Sequence, residues 1–336
     1  MLLLYLLKRN CKRLCAQYYT KQPLMLTIII TILFALLAIA FFTIAERKLL
    51  ASIQRRKGPN VTGFWGILQA FADGLKLLLK EIIIPVRSNW VLFLLAPCLS
   101  LVISLTAWVF IPFSELNYIT NFDYSLLMLY AVSSLGVYAI IGAGWTSNSK
   151  YAFLGGLRSA AQLISYEVSI ALLLLPVAAC ANSFNLIEIV NQQKSIWFIV
   201  PLLPVGIIFF ISVLAETNRA PFDLPEAEAE IVAGYNVEYA SMTFAMFFLA
   251  EYSNMLWLSA VIAICFFGGW LSPIFFLPHS MFWFLLKTLG VCFAIIKVRA
   301  NYPRYRYDQL MTLGWKTFLP FAIGYFLFVT SIILAI

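Results

Sequence analysis

Apolar runs of transmembrane length recur along the whole chain, and no other feature narrows its fold so far. Eight are read, at 24–45, 90–111, 124–146, 160–180, 196–215, 238–264, 281–298 and 316–336. A helix that crosses the hydrocarbon core of a bilayer needs about 20 such residues. In lipid every backbone N–H and C=O must be satisfied internally, which leaves helices or closed barrels. The runs here are continuous and do not alternate, so a barrel is disfavoured. The chain reads as an all-α polytopic membrane protein with about eight transmembrane helices. Its charge content agrees: 11% of residues are charged, against about 25% in soluble domains.

The net charge of +8 therefore does not point to nucleic acid. It reflects basic loops on one side of a membrane. Segment 46–89 holds Arg47, Lys48, Arg55, Arg56, Lys57, Lys76, Lys80 and Arg87. Lys150 and Arg158 follow in the next loop on that side, and Arg299, Arg304 and Arg306 in the last. The opposite loops are nearly bare. Segment 112–123 has no Lys or Arg, 181–195 has only Lys194, and 265–280 has His279. Loops 46–89, 147–159, 216–237 and 299–315 are expected on the cytoplasmic or matrix side. Residues 1–23 carry Lys8, Arg9, Lys12, Arg13 and Lys21 and break this rule. Their order, apolar then basic, is the reverse of a signal peptide's. They are set apart as an extension, with 24–336 as a single membrane domain.

Residues 63–80, GFWGILQAFADGLKLLLK, are too interrupted to span. Gln69, Asp73, Lys76 and Lys80 fall at helical spacing and make one polar stripe. Phe64, Trp65, Leu68, Phe71, Leu75 and Leu79 cover much of the rest. An amphipathic helix lying in the interface fits, either as a lipid-surface anchor or as the rim of a cavity that opens there.

Three ionisable residues sit inside expected spans: Glu167, Glu251 and Lys287. An isolated charge at the bilayer centre costs at least about 2.5–3.5 kcal/mol on insertion scales. Such groups face water or one another, and they mark ion or proton paths more often than not. The bland alternative is structural pairing, such as Lys287 with one of the glutamates. Beside them lies ETNRAPFDLPEAEAEIVAGYN at 216–236, where Glu216, Asp223, Glu226, Glu228 and Glu230 gather against one Arg219. Asp223 and Glu226 have capping-box spacing and Pro225 suits a first turn, so a helix is expected to start there. A solvated acidic turn competes with a line of carboxylates that continues from Glu167. Carboxyls that interact strongly titrate as a unit.

No glycine loop has phosphate-cradling spacing, and GAG at 142–144 and GG at 155–156 are too weak to carry that inference. His279 is the sole histidine, so ligation by several histidines is excluded. Six cysteines are present and only Cys11 and Cys15 are close, which gives no cluster or disulfide framework.

The motifs resemble a family. AERKLLASIQRRKGPNVTGFWGILQAFADGLKLLLKE at 45–81 closely resembles the NADH dehydrogenase subunit 1 family, the quinone-tunnel membrane subunits of respiratory complex I. So do GLRSAAQLISYEVS at 156–169, AETNRAPFDLPEAEAEIVAGYNVEY at 215–239 and RYRYDQLMTLGWK at 304–316. The likeness covers about 24–336, and GWTSNSKYAFLGGLRSAAQ at 144–162 looks mitochondrial. The resemblance implies a subunit of a proton-pumping NADH:ubiquinone oxidoreductase in the mitochondrial inner membrane, or in a bacterial plasma membrane. It implies that Arg47, Arg56, Asp73 and Arg299 line or support a quinone tunnel with its mouth at 63–80. It implies that Glu167, Glu216, Asp223, Glu226, Glu228, Glu230, Glu251 and Lys287 belong to a proton path. Ubiquinone would be the substrate. FMN and iron–sulfur clusters would sit on partner subunits, and hydrophilic quinone-site and membrane-arm subunits would be the neighbours, with lipid around them. Two rivals stand beside this: the homologous membrane subunit of a hydrogenase-type complex, and a free-standing proton-coupled transporter, which would carry internal repeats.

Overall fold

The computed structural model describes residues 24–223, 234–273 and 277–335. Among them seven helices are long and apolar enough to cross a membrane. They are α1 (Leu24–Ile53), α3 (Trp90–Thr106, prolonged by a 3-10 turn to Phe110), α4 (Ser125–Thr146), α5 (Lys150–Ala181), α8 (Ser241–Cys265), α9 (Met281–Asn301) and α10 (Tyr307–Ala335). A π-helical stretch, Leu313–Phe318, interrupts α10. Shorter helices are α2 (Gln69–Leu79), α6 (Leu186–Gln192) and α7 (Leu203–Glu216).

Several expectations change in detail. α1 runs on to Ile53, α5 starts at Lys150 and α10 at Tyr307, so parts of the segments expected as loops are helical. Two further changes have a local cause. The run at 196–215 becomes α7, whose 14 residues rise only about 21 Å. Pro201 lacks an N–H and Pro204 occupies the first turn, so the helix begins there. Residues 197–202 form turns held to the neighbouring helix end by Ile199 N–H to Phe266 O, 3.0 Å. The amphipathic helix begins at Gln69, not at 63. Gly63, Trp65 and Gly66 have φ of 70°, 56° and 73°, outside the helical range. A Cβ on Gly66 would stand 2.3 Å from the Pro59 carbonyl oxygen, so only glycine fits the turn that precedes α2.

The core runs through α8, the most enclosed of the long helices. Trp257, Phe266, Tyr166 and Phe209 are fully buried in one cluster with Ile39, Leu129 and Ile296. α10 docks on α5 through the Tyr166 hydroxyl, which donates to Leu310 O at 2.9 Å. The outward faces of α1, α3 and α9 expose Leu33, Phe34, Leu95, Val102, Leu286 and Leu289, as lipid-facing helices must.

Contacts between loops sort the two ends of the bundle. At one end Asn148 Nδ2 donates to Arg87 O (3.1 Å), Tyr305 N–H to Pro221 O (3.0 Å), and Arg304 pairs with Asp223 (3.3 Å). At the other end Asn185 bonds Asn121 (2.7 Å) and Gln193 Nε2 donates to Ile264 O (2.9 Å). The basic loops and the start of the acidic loop thus share one end, as the charge asymmetry predicts.

Candidate functional site

The acidic loop opens where α7 stops, and the stop is local chemistry. Asn218 adopts φ 49°, the left-handed conformation that asparagine tolerates at helix ends. Its N–H reaches Ala215 O (3.3 Å) and the Arg219 N–H reaches Leu214 O (3.4 Å). Buried Gln162 on α5 then pins the turn, its Nε2 donating to Ala215 O (2.8 Å) and Phe222 O (3.0 Å). Beyond the loop, Gly155 of α5 touches Gly234: a Cβ on Gly155 would stand 2.5 Å from the Gly234 Cα. Phe222 stacks on Tyr305, ring centroids 5.3 Å apart. Both ends of the loop are therefore seated on α5 and on the segment that leads into α10. Glu226, Glu228 and Glu230, with the helix start expected at Pro225, lie outside the described residues.

Glu167 of α5, Glu216 at the end of α7 and Glu251 of α8 line one cavity of about 70 Å³ between α3, α4, α5 and α8. That is room for several waters on a scale of about 10–15 Å³ each. Ser100, Ser104, Ser133, Asn218 and Asn254 add polar groups to a wall otherwise made by Val137, Leu163, Phe247 and Trp257. Ser133 Oγ donates to Tyr130 O (2.9 Å), and one oxygen of the half-buried Glu216 carboxylate is shut off from solvent, with Glu167 as a charged neighbour.

From Glu251 a line of contacts leaves the cavity. Arg219 Nε lies 3.0 Å from Glu251 Oε1. The Arg219 guanidinium stands over the Tyr252 ring, 4.5 Å from its centroid. The Tyr252 hydroxyl donates to Glu46 Oε2, and Arg299 Nη1 pairs with Glu46 Oε1. Glu46 is 3% exposed. A buried charge is tolerated only where it is paired and hydrogen-bonded, and Glu46 is held on both oxygens. Glu46 and Tyr252 were not singled out from the sequence, and Arg219 was noted there only as the one basic residue of the acidic loop. Glu46 ends an apolar run beside Arg47 and Lys48, where a charge is unremarkable. Its sole signal is that it follows the run directly.

The expected residues divide. Glu167, Glu216 and Glu251 come together, and Arg299 joins them through the contact line. Asp223 lies on the same loop but faces Arg304. Arg47 and Asp73 form a separate pair between α1 and α2, 2.7 Å, with Gln69 Nε2 donating to the other Asp73 oxygen at 2.8 Å. Arg56 is exposed in the turn after α1. Among the described residues Lys287 is not paired with a glutamate. Its Nζ donates to the carbonyls of Phe267 (2.6 Å), Gly269 (3.0 Å) and Leu271 (2.6 Å) and lies over Trp197 (4.3 Å), at the opposite end of the bundle. Among the described residues no three His, Cys, Asp or Glu side chains group as a metal site would require.

Residues 26–330 match the family model described as NADH dehydrogenase. The chain is 54% identical over 316 residues to NADH-ubiquinone oxidoreductase chain 1 of Chondrus crispus, covering 93% of this chain and 97% of that one. It is 58% identical over 293 residues to the protein of the same name from Arabidopsis thaliana, covering 86% and 90%. It is 54% identical over 315 residues to an NADH-quinone oxidoreductase subunit of the bacterium Paramagnetospirillum magneticum, covering 93% and 92%. The chain belongs to the NADH dehydrogenase family, as the multi-pass membrane subunit that corresponds to chain 1 of the NADH-ubiquinone oxidoreductase complex.

Proposed function

We propose that the chain walls a quinone tunnel in proton-pumping NADH:ubiquinone oxidoreductase, and that its buried carboxylates couple quinone reduction to proton translocation. The observation that carries this reading is the contact line from Arg299 through Glu46, Tyr252, Arg219 and Glu251 into the cavity of Glu216 and Glu167. Reducing a quinone to a quinol consumes protons. A change of charge or of hydrogen bonding at the Arg299 end alters the field on Glu46, each later member as far as Glu251 touches the one before it, and Glu251 shares its cavity with Glu216 and Glu167. In a low-dielectric interior such interactions are strong, and interacting carboxyls share their protons as a set. Glu226, Glu228 and Glu230 would continue the set along the acidic loop.

α1, α2 and α8 meet beside the Arg47–Asp73 pair, which supports the mouth at the α2 rim. Arg47 and Arg56 have the planar fork suited to a polar quinone head. Electrons would arrive from FMN and iron–sulfur clusters on partner subunits. The resemblance of 144–162 supports the mitochondrial inner membrane as the location. Lys287, which the resemblance adds to the path, is held by the carbonyls of Phe267, Gly269 and Leu271 and does not line the carboxylate cavity, so the proposal rests on the carboxylates.

A photoreactive short-chain ubiquinone added to the intact complex tests the tunnel. Labelling is expected on peptides spanning 45–80 and the end of α9, and an excess of unlabelled ubiquinone should suppress it. Labelling of other subunits alone would refute the assignment.

A further inference from the structure

On the outer face, α1 and α9 leave an open groove of about 380 Å³ between them. Phe42 and Leu49 of α1 face Leu289, Gly290 and Phe293 of α9 across it. The lining runs over about two helical turns of each helix, about 10 Å. Packing does not close it: a Cβ on Gly290 would meet nothing within 4 Å. One turn beyond Phe293, toward the basic end of the bundle, exposed Lys297 holds its ammonium 5.1 Å from the Phe293 ring. The adjacent Arg299 is already taken by Glu46.

We propose that this groove is a binding site for one acyl chain of an anionic phospholipid, with Lys297 meeting the lipid phosphate. One general rule and two observations favour that occupant over a neighbouring transmembrane helix. Helix–helix seams in membranes are built on small residues and interhelical hydrogen bonds. Five of the eight residues lining this groove are large aliphatic or aromatic side chains, and Ala45, Gly290 and Cys292 between them leave an irregular slot that suits a flexible chain. Finally, Lys297, whose ammonium stands over the lining residue Phe293, lies toward the basic end, where a snorkelling lysine meets headgroups. The site is separate from the carboxylate cavity and does not depend on the function proposed for it.

The test uses the intact complex reconstituted with photoreactive phosphatidylglycerol or phosphatidylcholine, each carrying the reactive group in its acyl chain. Phosphatidylglycerol should label peptides covering 42–49 and 289–296. Gly290→Phe fills the slot and should cut that labelling at least fivefold. Lys297→Gln leaves the slot open and should remove a preference for phosphatidylglycerol of about fivefold, the equivalent of about 1 kcal/mol for one surface lysine. Should Gly290→Phe fail to assemble, the Lys297→Gln comparison and the map of labelled peptides decide. Absence of label at these peptides would overturn the proposal. So would equal capture of both lipids by the unaltered complex, displacement by short-chain ubiquinone and not by phospholipid, or crosslinking of the groove to a partner subunit's helix.

Discussion

Tyr252 joins two ion pairs that share no residue. Its ring carries the Arg219 guanidinium and its hydroxyl serves Glu46. Tyr252→Phe keeps the ring and deletes the donor, which leaves one Glu46 oxygen buried with a lost bond, an effect of about 1–3 kcal/mol. The expected result is a complex that assembles, with quinone reductase turnover per assembled complex well below that of the unaltered protein. Turnover at the normal rate would remove Tyr252 from the line. Arg219 is a harsher position. Arg219→Ala strands Glu251, and removing one partner of a buried pair costs about 3–5 kcal/mol. Arg219→Ala with Glu251→Ala removes both charges and should regain much of the lost assembly, read as complex yield on a native gel. Glu167 and Glu251 stood out in the sequence because a carboxylate inside an apolar run must face water or a partner. Glu46 was not, since it stands among loop charges. Tyr252 was not either, since one tyrosine among many aromatics carries no signal of its partner. Which carboxylates share a cavity is a matter of helix rotation, and periodicity within a single apolar helix does not encode it.

At the scale of elements, α5 is the scaffold for the site. It supplies Glu167, the Gln162 amide that pins the loop entrance, and Gly155 against the loop exit. Gly155→Ala forces a Cβ into the Gly234 backbone, and overpacking of this kind costs about 1–3 kcal/mol. The expected outcome is faster proteolysis within 217–240 of the purified complex, whereas an unchanged cleavage pattern would mean that the loop does not rest on α5. α2 was legible from its stripe of Gln69, Asp73, Lys76 and Lys80. Its start was not, because Gly63 and Gly66 do not announce from sequence that both adopt positive φ. Spin labels along 63–80 should report depth that varies with a 3.6-residue period from Gln69 onward and departs from it before Gln69. Depth varying with the helical period across the whole of 63–80 would contradict the turn at Phe64–Gly66. The fifth apolar run was recognised but made too long, because Pro201 and Pro204 shift the helix start and backbone turns replace its first part.

At the scale of the whole molecule, the charge asymmetry of the loops matches the end shared by the basic loops and the described start of the acidic loop. It could not say that the acidic loop would be tied to that end by Arg304, Tyr305 and Gln162, which are distant in sequence and meet only after the bundle closes. The same closure carries Lys287 to the far end, where three carbonyls hold it. The central claim is that Glu167, Glu216 and Glu251 act as one set. Its most direct test is quinone reductase turnover and proton pumping per assembled complex for Glu167→Gln, Glu216→Gln and the double change. Glutamine keeps size and hydrogen bonding and removes titration. The account predicts that each single change lowers turnover and pumping together by tenfold or more. It also predicts that the double change costs no more than the worse single one, because members of one unit are non-additive. Glu167→Gln complexes that turn over and pump at the normal rate, or single effects that multiply in the double change, would contradict it.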